Sequence, residues 1–435
     1  MKKKKLKKIK LANSQYYWKK AEQIIPSGTQ TFSKGPTQYV QGISPIYLER
    51  GRGSHVWDVD GNEFIDYTSA LGPITLGYCC PEVDRAITAQ LKKGITFSLM
   101  HPLEVEVSEL LIDIIPCAEM IRFGKNGSDA TSGSVRLARA VTGRDKIACC
   151  GYHGWQDWYI GTTTRDKGVP RSVKKMTLPF TYNDIGSLER IFMQHAGQVA
   201  AVIMEPIALE EPKDDFLKKV KNLTHKNGAL LIFDEIVTGF RLALGGAQEF
   251  YGVIPDLACF GKGMANGMPL SAIVGRKEIM KELNEVFFSF TFGGEALSLA
   301  AAKATIEIMK RGNVINHFWK QGKKLKEGYS GLCNKFELAK ITGCKGLAAH
   351  SSVYFKGKDD NDSLLRKSLF QQEVLKKGIL TLGIHNMSRA HTNTDIDRTM
   401  AAYETGLRKL KEAIEFGNVK KFLEGKPIYP IFTRW

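Results

Sequence analysis

The sequence contains no Cys-x-x-Cys pair, although it holds eight cysteines. Two pairs are adjacent, Cys79-Cys80 and Cys149-Cys150, and the others are scattered. This excludes a zinc ribbon and a thioredoxin-like redox motif, so no metal site is expected. It reads as a set of reduced, mostly core cysteines in a cytoplasmic protein. No apolar run approaches the roughly 18 residues of a membrane helix. No apolar stretch follows the basic start MKKKKLKKIKLA, so that segment does not read as a secretory signal. No internal repeat is present.

What remains is ordinary globular composition, 43% apolar and 25% charged over 435 residues, enough for a sizeable core and more than one domain. The net charge is +17, and seven lysines fall in the first ten residues, leaving 17 − 7 = +10 elsewhere. The lysine block predicts a disordered arm over residues 1–12. The remaining charge suits an anionic cofactor or substrate. The basic residues are spread out and form no recognisable nucleic-acid module, so no nucleic-acid partner is expected, and no membrane partner either.

Residues 14–25 show a short amphipathic helix stopped by Pro26. Val56 to Tyr67 alternates around Asp60-Gly61, a hairpin pattern. Leu103, Val107, Leu110, Leu111 and Ile114 recur at helical spacing between Pro102 and Pro116. From Met120 a short apolar run leads through a Gly-containing turn into a helix from about Asp129, ended by Gly143. Exposed amides at such a helix start, with a Ser hydroxyl and no bulky side chain, can hold a phosphate, which singles out Gly127 and Ser128.

Apolar runs then alternate with polar or helical stretches. Lys146–Cys150 leads to Gly151-Tyr152-His153-Gly154, and 199–204 leads to Glu205-Pro206. Residues 229–233 lead to Asp234-Glu235, and Leu257–Phe260 leads to Gly261-Lys262-Gly263. Polar groups after the C-terminal ends of parallel strands are where α/β sheets bind ligands. A carboxylate at one strand end and a glycine-flanked lysine at the next is the layout of a pyridoxal 5′-phosphate (PLP) site. The lysine forms a Schiff base, and the carboxylate pairs with the protonated pyridine nitrogen. Tyr152 and His153 read equally as an aromatic lid or a packed loop. Thr291 to Gly294 precedes a helix from about Glu295 to Met309 and could form a second anion-binding helix start.

The stretch Phe233 to Gly275, FDEIVTGFRLALGGAQEFYGVIPDLACFGKGMANGMPLSAIVG, together with NGSDAT, RLARAVTGRDKI, GYHGW, VIMEP and VWDVDGNEFIDY, resembles class III aminotransferases of PLP fold type I. The resemblance spans roughly Ala21 to Leu410 and is nearest to the glutamate-1-semialdehyde 2,1-aminomutase group. It implies an α/β large domain with a mostly parallel seven-stranded sheet, over 55–330, and a small α+β domain over 331–435. Residues 13–54 would form an N-terminal segment joining the small domain.

By the same resemblance Lys262 is the Schiff-base lysine and proton shuttle, and Asp234 the pyridine-nitrogen partner. Ile236 and Tyr152 would flank the ring, and Gly127 and Ser128 would hold the phosphate. Thr291 would reach the phosphate of a neighbouring subunit, implying a homodimer with shared active sites. Val237 stands where many class III transaminases have glutamine. Glu210 resembles the transaminase glutamate where the aminomutase has asparagine. Lys34 stands about where the aminomutase has arginine, and Thr381–Thr392 lacks its acidic residue. The aminomutase group also lacks that glutamine, but the departures at Glu210, Lys34 and Thr381–Thr392 favour transamination between an amino donor and a small carbonyl acceptor over intramolecular amino transfer of the aminomutase type.

Overall fold

A computed structural model describes residues 9–207 and 209–431. Its contacts divide the chain into two compact units. The first runs up to Leu71, adds Leu76–Cys80 and resumes at Asn316; the second holds Gly72–Thr75 and Pro81–Ile315. The boundaries expected after residues 54 and 330 therefore move. The hairpin that opens the expected large domain belongs to the first unit, and so does the chain from Asn316.

In the first unit the helix Ala12–Ile24 stops before Pro26. Strand β1 (Leu48–Arg52) pairs antiparallel with β2 (His55–Asp58), and β2 with β3 (Glu63–Asp66). The β2–β3 turn is closed by Asp58, whose Oδ1 accepts from the amides of Asp60 (3.0 Å) and Asn62 (2.7 Å). Gly61 supplies the left-handed residue at φ +79°. The first eight residues of the expected disordered arm lie outside the described residues. Residues 9–12 are held, Ala12 as the first residue of the helix, which corrects that expectation for them. Ile9 packs on the cluster of Val56, Phe64, Leu375 and Leu380, and Asn62 Nδ2 donates to the Lys10 carbonyl at 2.7 Å.

The second unit is built on seven strands. In chain order they are β4 (Met120–Gly124), β5 (Lys146–Cys150), β6 (Thr177–Pro179), β7 (Val199–Met204), β8 (Leu230–Asp234), β9 (Leu257–Phe260) and β10 (Ser271–Gly275). Their order across the sheet is β4-β10-β9-β8-β7-β5-β6. Only β10 runs against its neighbours, antiparallel to both β4 and β9. Every residue of β7, β8 and β9 is buried. Strands covered on both faces need apolar residues throughout, which is why they read as continuous runs without alternation.

The helix Gly127–Thr142 packs Ala130, Val135, Leu137 and Ala138 into one cluster with Ile147, Ile203, Ile232 and Ile273 of the sheet. Each buried Val, Leu or Ile side chain among them contributes on the order of 1.5–3 kcal/mol. The helix starts two residues before the expected Asp129, so Gly127 and Ser128 form its first turn. Gly143 ends it at φ +64°. The helix Pro102–Ile114 follows the expected proline bounds.

The chain from Asn316 returns to the first unit. Strands β11 (Thr342–Leu347) and β12 (His350–Phe355) pair antiparallel. Strand β13 (Ile379–Leu380) pairs parallel with β3, and β14 (Ile384–Asn386) pairs antiparallel with β12. The β3–β13 pairing is the physical reason the hairpin belongs here. The architecture is the expected one: an α/β unit with a mostly parallel seven-stranded sheet, and a smaller α+β unit. Among the described residues no helix is long and apolar enough to cross a membrane.

Candidate active site

The ends of β5, β7, β8 and β9 bring four polar groups together in the second unit. Asp234 closes β8 and is buried. Its Oδ2 faces His153 Nδ1 at 2.8 Å, and its Oδ1 accepts from the Ile236 amide at 3.1 Å. His153 is itself buried, stacked on Trp158 at 6.0 Å and edged by Tyr159 at 5.2 Å. Its carbonyl accepts from Thr131 Oγ1 at 2.8 Å, which ties the β5 loop to the helix Gly127–Thr142. His153 is thus both a packed ring and a partner of Asp234, a double role that the sequence left open.

Lys262 follows β9 and is half-buried at the start of a short 3-10 turn, Lys262–Ala265. Its φ of +30° is a strained backbone for a lysine. Burial lowers its pKa, and the Arg241 guanidinium lowers it further, while Asp234 and Glu205 pull it back up. Arg241 is buried, donates to the Gly72 carbonyl at 2.8 Å, and is itself pushed down to about 10 by burial. The net result is an amine more readily neutral than a surface lysine.

Glu205, at the end of β7, belongs to this group although sequence reasoning did not single it out. Burial and the Asp234 charge push its carboxyl up to about 7, against the opposing pull of His153 and Lys262. Gly151 makes the room: a Cβ there, at φ +108°, would lie 2.9 Å from the Glu205 side chain. The available signal was the Met204–Glu205 strand end, equivalent in position to Phe233–Asp234. Glu210, the residue that was singled out, is exposed five positions on and acts electrostatically on Tyr182.

The remaining candidates divide. Gly127 lies against Ile236: a Cβ at 127 would be 3.2 Å from its side chain, and one at Gly261 3.0 Å. Ile236 therefore sits between the helix start and the lysine turn. Ser128 Oγ accepts from the Trp155 amide at 3.3 Å, and a Cβ at Gly154 would fall 2.2 Å from that oxygen. Tyr152 is half-exposed, sets its ring edge-on to Tyr159 at 5.5 Å, and feels the Asp234 charge. Thr291 lies on an exposed turn. The following helix, Ala296–Arg311, does not offer a free N-terminus as expected. The Glu295 carboxylate accepts from the amides of Leu297 (2.6 Å) and Ser298 and pairs with Lys125 at 2.9 Å. Lys34 is in the first unit, where its charge acts on buried Asp66.

These residues fit PLP. A buried carboxylate at Asp234 suits the protonated ring nitrogen, a helix start cleared of side chains by Gly127 and Gly154 suits a phosphate, and a lowered-pKa amine stands at Lys262. The fold and this constellation define a PLP-dependent enzyme of fold type I. The class III aminotransferase family model matches residues 38–413, and the chain belongs to that family.

Over 424 residues the chain is 35% identical to the 3-aminobutyryl-CoA aminotransferase of Cloacimonas acidaminovorans (strain Evry), covering 94% of this chain and 99% of the relative. It is 34% identical to the glutamate-1-semialdehyde 2,1-aminomutase of Persephonella marina (strain DSM 14350 / EX-H1), covering 85% and 92%. Among solved structures, the FumI protein of Sphingopyxis sp. MTA144, in its PLP internal aldimine form, superposes with a TM-score of 0.86 at 28% identity, over 95% of this chain and 98% of that one.

Proposed function

We propose that this PLP-dependent enzyme is an intermolecular aminotransferase, passing an amino group from a donor to a small carbonyl acceptor by a ping-pong scheme through Lys262. The observation that carries this reading is the segment Thr381–Thr392. It has no acidic side chain, and its histidines are committed within the first unit. His385 bridges Ser351 Oγ (2.9 Å) and Tyr403 Oη (2.7 Å), and His391 Nδ1 meets Ser388 Oγ at 2.9 Å. The relative named an aminotransferase, at 35% identity, supports it.

PLP, when bound, supplies an aldehyde that condenses with amines and a protonated ring that draws off the electron pair left at the substrate Cα. Lys262 Nζ, neutral for part of the time, takes the proton from that carbon and holds it. Asp234 would present its carboxylate to the ring nitrogen proton, and His153 Nδ1 fixes the orientation of Oδ2. Ile236 and Tyr152 would flank the ring, and Gly127 and Ser128 would hold the phosphate. Lys34 and Glu210 are candidate substrate contacts.

The assay is donor dependence. Purified enzyme that converts glutamate 1-semialdehyde to 5-aminolevulinate without any added donor would show the aminomutase reading to be the right one. We further place the enzyme in the cytoplasm as a homodimer with Thr291 reaching the partner's phosphate. Leu99, Met100, Phe287 and Phe292 are exposed in the second unit, apolar surface of the kind a second copy covers. A fully active monomer in analytical ultracentrifugation would refute the shared site.

A further inference from the structure

A cleft of about 270 Å³ in the first unit has no part in the chemistry above. The helix Ala12–Ile24 lends it Gln15 and Trp18, the turn over 41–46 lends Gln41 and Ser44, and the C-terminal segment lends Lys426. A second cavity of about 280 Å³ adjoins it, with Pro36, Pro45 and Ile46 common to both walls. That second cavity carries Lys34 and the buried acid Asp66, which is hydrogen-bonded by Tyr78 Oη at 2.7 Å.

The cleft is built, not incidental. The indole of Trp18 lies on Gly28, where a Cβ would come within 2.5 Å of two ring carbons, and Gly28 holds φ +64°. The ring is thereby fixed before any ligand arrives. Gln41 and Lys426 are pinned to each other by a reciprocal pair of backbone bonds, 3.1 and 3.0 Å. Gly425 permits that approach, since a Cβ there would lie 2.3 Å from the Gln41 carbonyl. Ser44 is 5% exposed, and its hydroxyl has no partner among the described residues. Leaving such a group unpaired in a protein alone is unfavourable, and a ligand acceptor or donor would relieve it.

The chemistry of the wall selects its occupant. A fixed indole face suits a flat π-system, two amides and a hydroxyl suit its polar edge, and Lys426 with Lys34 suits phosphates. The Pro36, Pro45 and Ile46 wall between the two cavities suits a thin linking arm. We propose that this cleft takes the phosphorylated nucleotide handle of a carrier-linked carbonyl substrate, whose arm passes into the cavity of Lys34. A coenzyme A thioester is the favoured source, because its arm is long and narrow and because the 35%-identical relative bears a CoA substrate in its name. A nucleotide diphosphate sugar offers the same handle chemistry. The proposal deepens the aminotransferase reading and depends on it for the reaction, but not for binding.

Isothermal titration of 3′,5′-ADP and of UDP into the PLP-loaded full chain tests it. The expected result is binding of 3′,5′-ADP in preference to UDP, weakened by added salt. Trp18→Ala should weaken binding about 10-fold or more, on the order of one lost base–ring stack. Lys426→Glu, a surface change, should weaken it too and flatten the salt dependence. Preference for UDP supports the site and assigns the handle to a sugar diphosphate. No binding of either nucleotide at millimolar concentration, or binding that both variants leave unchanged, overturns the proposal. The half-reaction with an amino donor needs no nucleotide and stays at its wild-type rate in both variants. Failure of that half-reaction in the wild type defeats the aminotransferase reading alone.

Discussion

Acid should destabilise this protein through two buried histidines. His385 and His391 are both fully enclosed in the first unit, and burial pushes each down to about 4. Tyr67 stacks on His391 at 4.7 Å and Tyr403 and Ser351 bond His385, none of them a charge that would welcome a proton. Asp395 favours the charged His391, but burial outweighs it. An unfolded histidine titrates near 6.5, so the unfolded chain takes up these protons first. The contribution of the pair is therefore whole above about pH 7 and falls as pH drops from 6.5 towards 4. At pH 5 each is about 1.5 units below its unfolded midpoint, a loss of about 2 kcal/mol at 1.36 kcal/mol per unit. The pair loses about 4 kcal/mol if the sites act separately. His55 works the other way: Asp395 raises it, so its support is present below 6.5 and fades as pH rises. Urea unfolding of the wild type and of His385→Gln and His391→Asn at pH 8 and pH 5 measures the difference. Equal pH dependence in all three proteins would refute the reasoning.

Lys262→Ala should abolish the visible absorbance of lysine-bound cofactor, and activity with it; a persisting band means another amine holds the aldehyde. Glu205→Gln removes an anion that favours the Lys262 ammonium, so the lysine should titrate lower, and the pH dependence contributed near 7 by Glu205 should vanish from the spectral titration. A spectral titration unchanged by the substitution would place Glu205 outside the site. Gly154→Ala should weaken PLP retention, because its Cβ would press within 2.2 Å of Ser128 Oγ at a φ of +107°; full retention on dialysis would remove Ser128 from the phosphate site. Glu235→Gln should leave the spectrum intact. It loses hydrogen bonds worth about 1–3 kcal/mol below pH 5. Above pH 7 it regains roughly 3 kcal/mol, by relief of a buried charge whose pKa is pushed from 4.5 up to about 7. A pH-independent effect in unfolding experiments would contradict this.

Much of the sheet was legible because β7, β8 and β9 are buried on both faces, and continuous apolar runs ending in a polar residue have few other readings. The lysine and Asp234 stood at such ends. Glu205 stood at one too, but nothing in its local sequence tied it to Asp234. Its role shows only when parallel pairing sets Met204 beside Phe233 and so the two following carboxylates side by side. The unit boundary was not legible for a related reason. Only two residues of β13, over 300 positions from β3, claim the hairpin for the first unit, and no local pattern announces a long-range parallel pair. Glu295 was read as part of a helix that would offer its N-terminus to an anion. A carboxylate at the cap position instead consumes those amides itself, a choice that spacing alone does not reveal.

The adjacent acids Asp234 and Glu235 show how one sheet edge separates chemistry from support. Successive residues leaving a strand point to opposite faces. Asp234 turns to His153, and its charge acts on the Lys262 amine and the Glu205 carboxyl. Glu235 turns away and is fully buried, accepting from the amides of Ala247 (2.7 Å) and Gln248 (2.9 Å) and from Thr238 Oγ1. It caps the short helix Ala247–Tyr251, and Gly246 clears the path, since a Cβ there would meet its carboxylate at 2.4 Å. That cap closes the loop between β8 and β9, and so fixes how the chain returns to present Lys262 one strand away from Asp234. Glu235, outside the proposed chemistry, thereby sets the spacing between the two groups proposed to carry it.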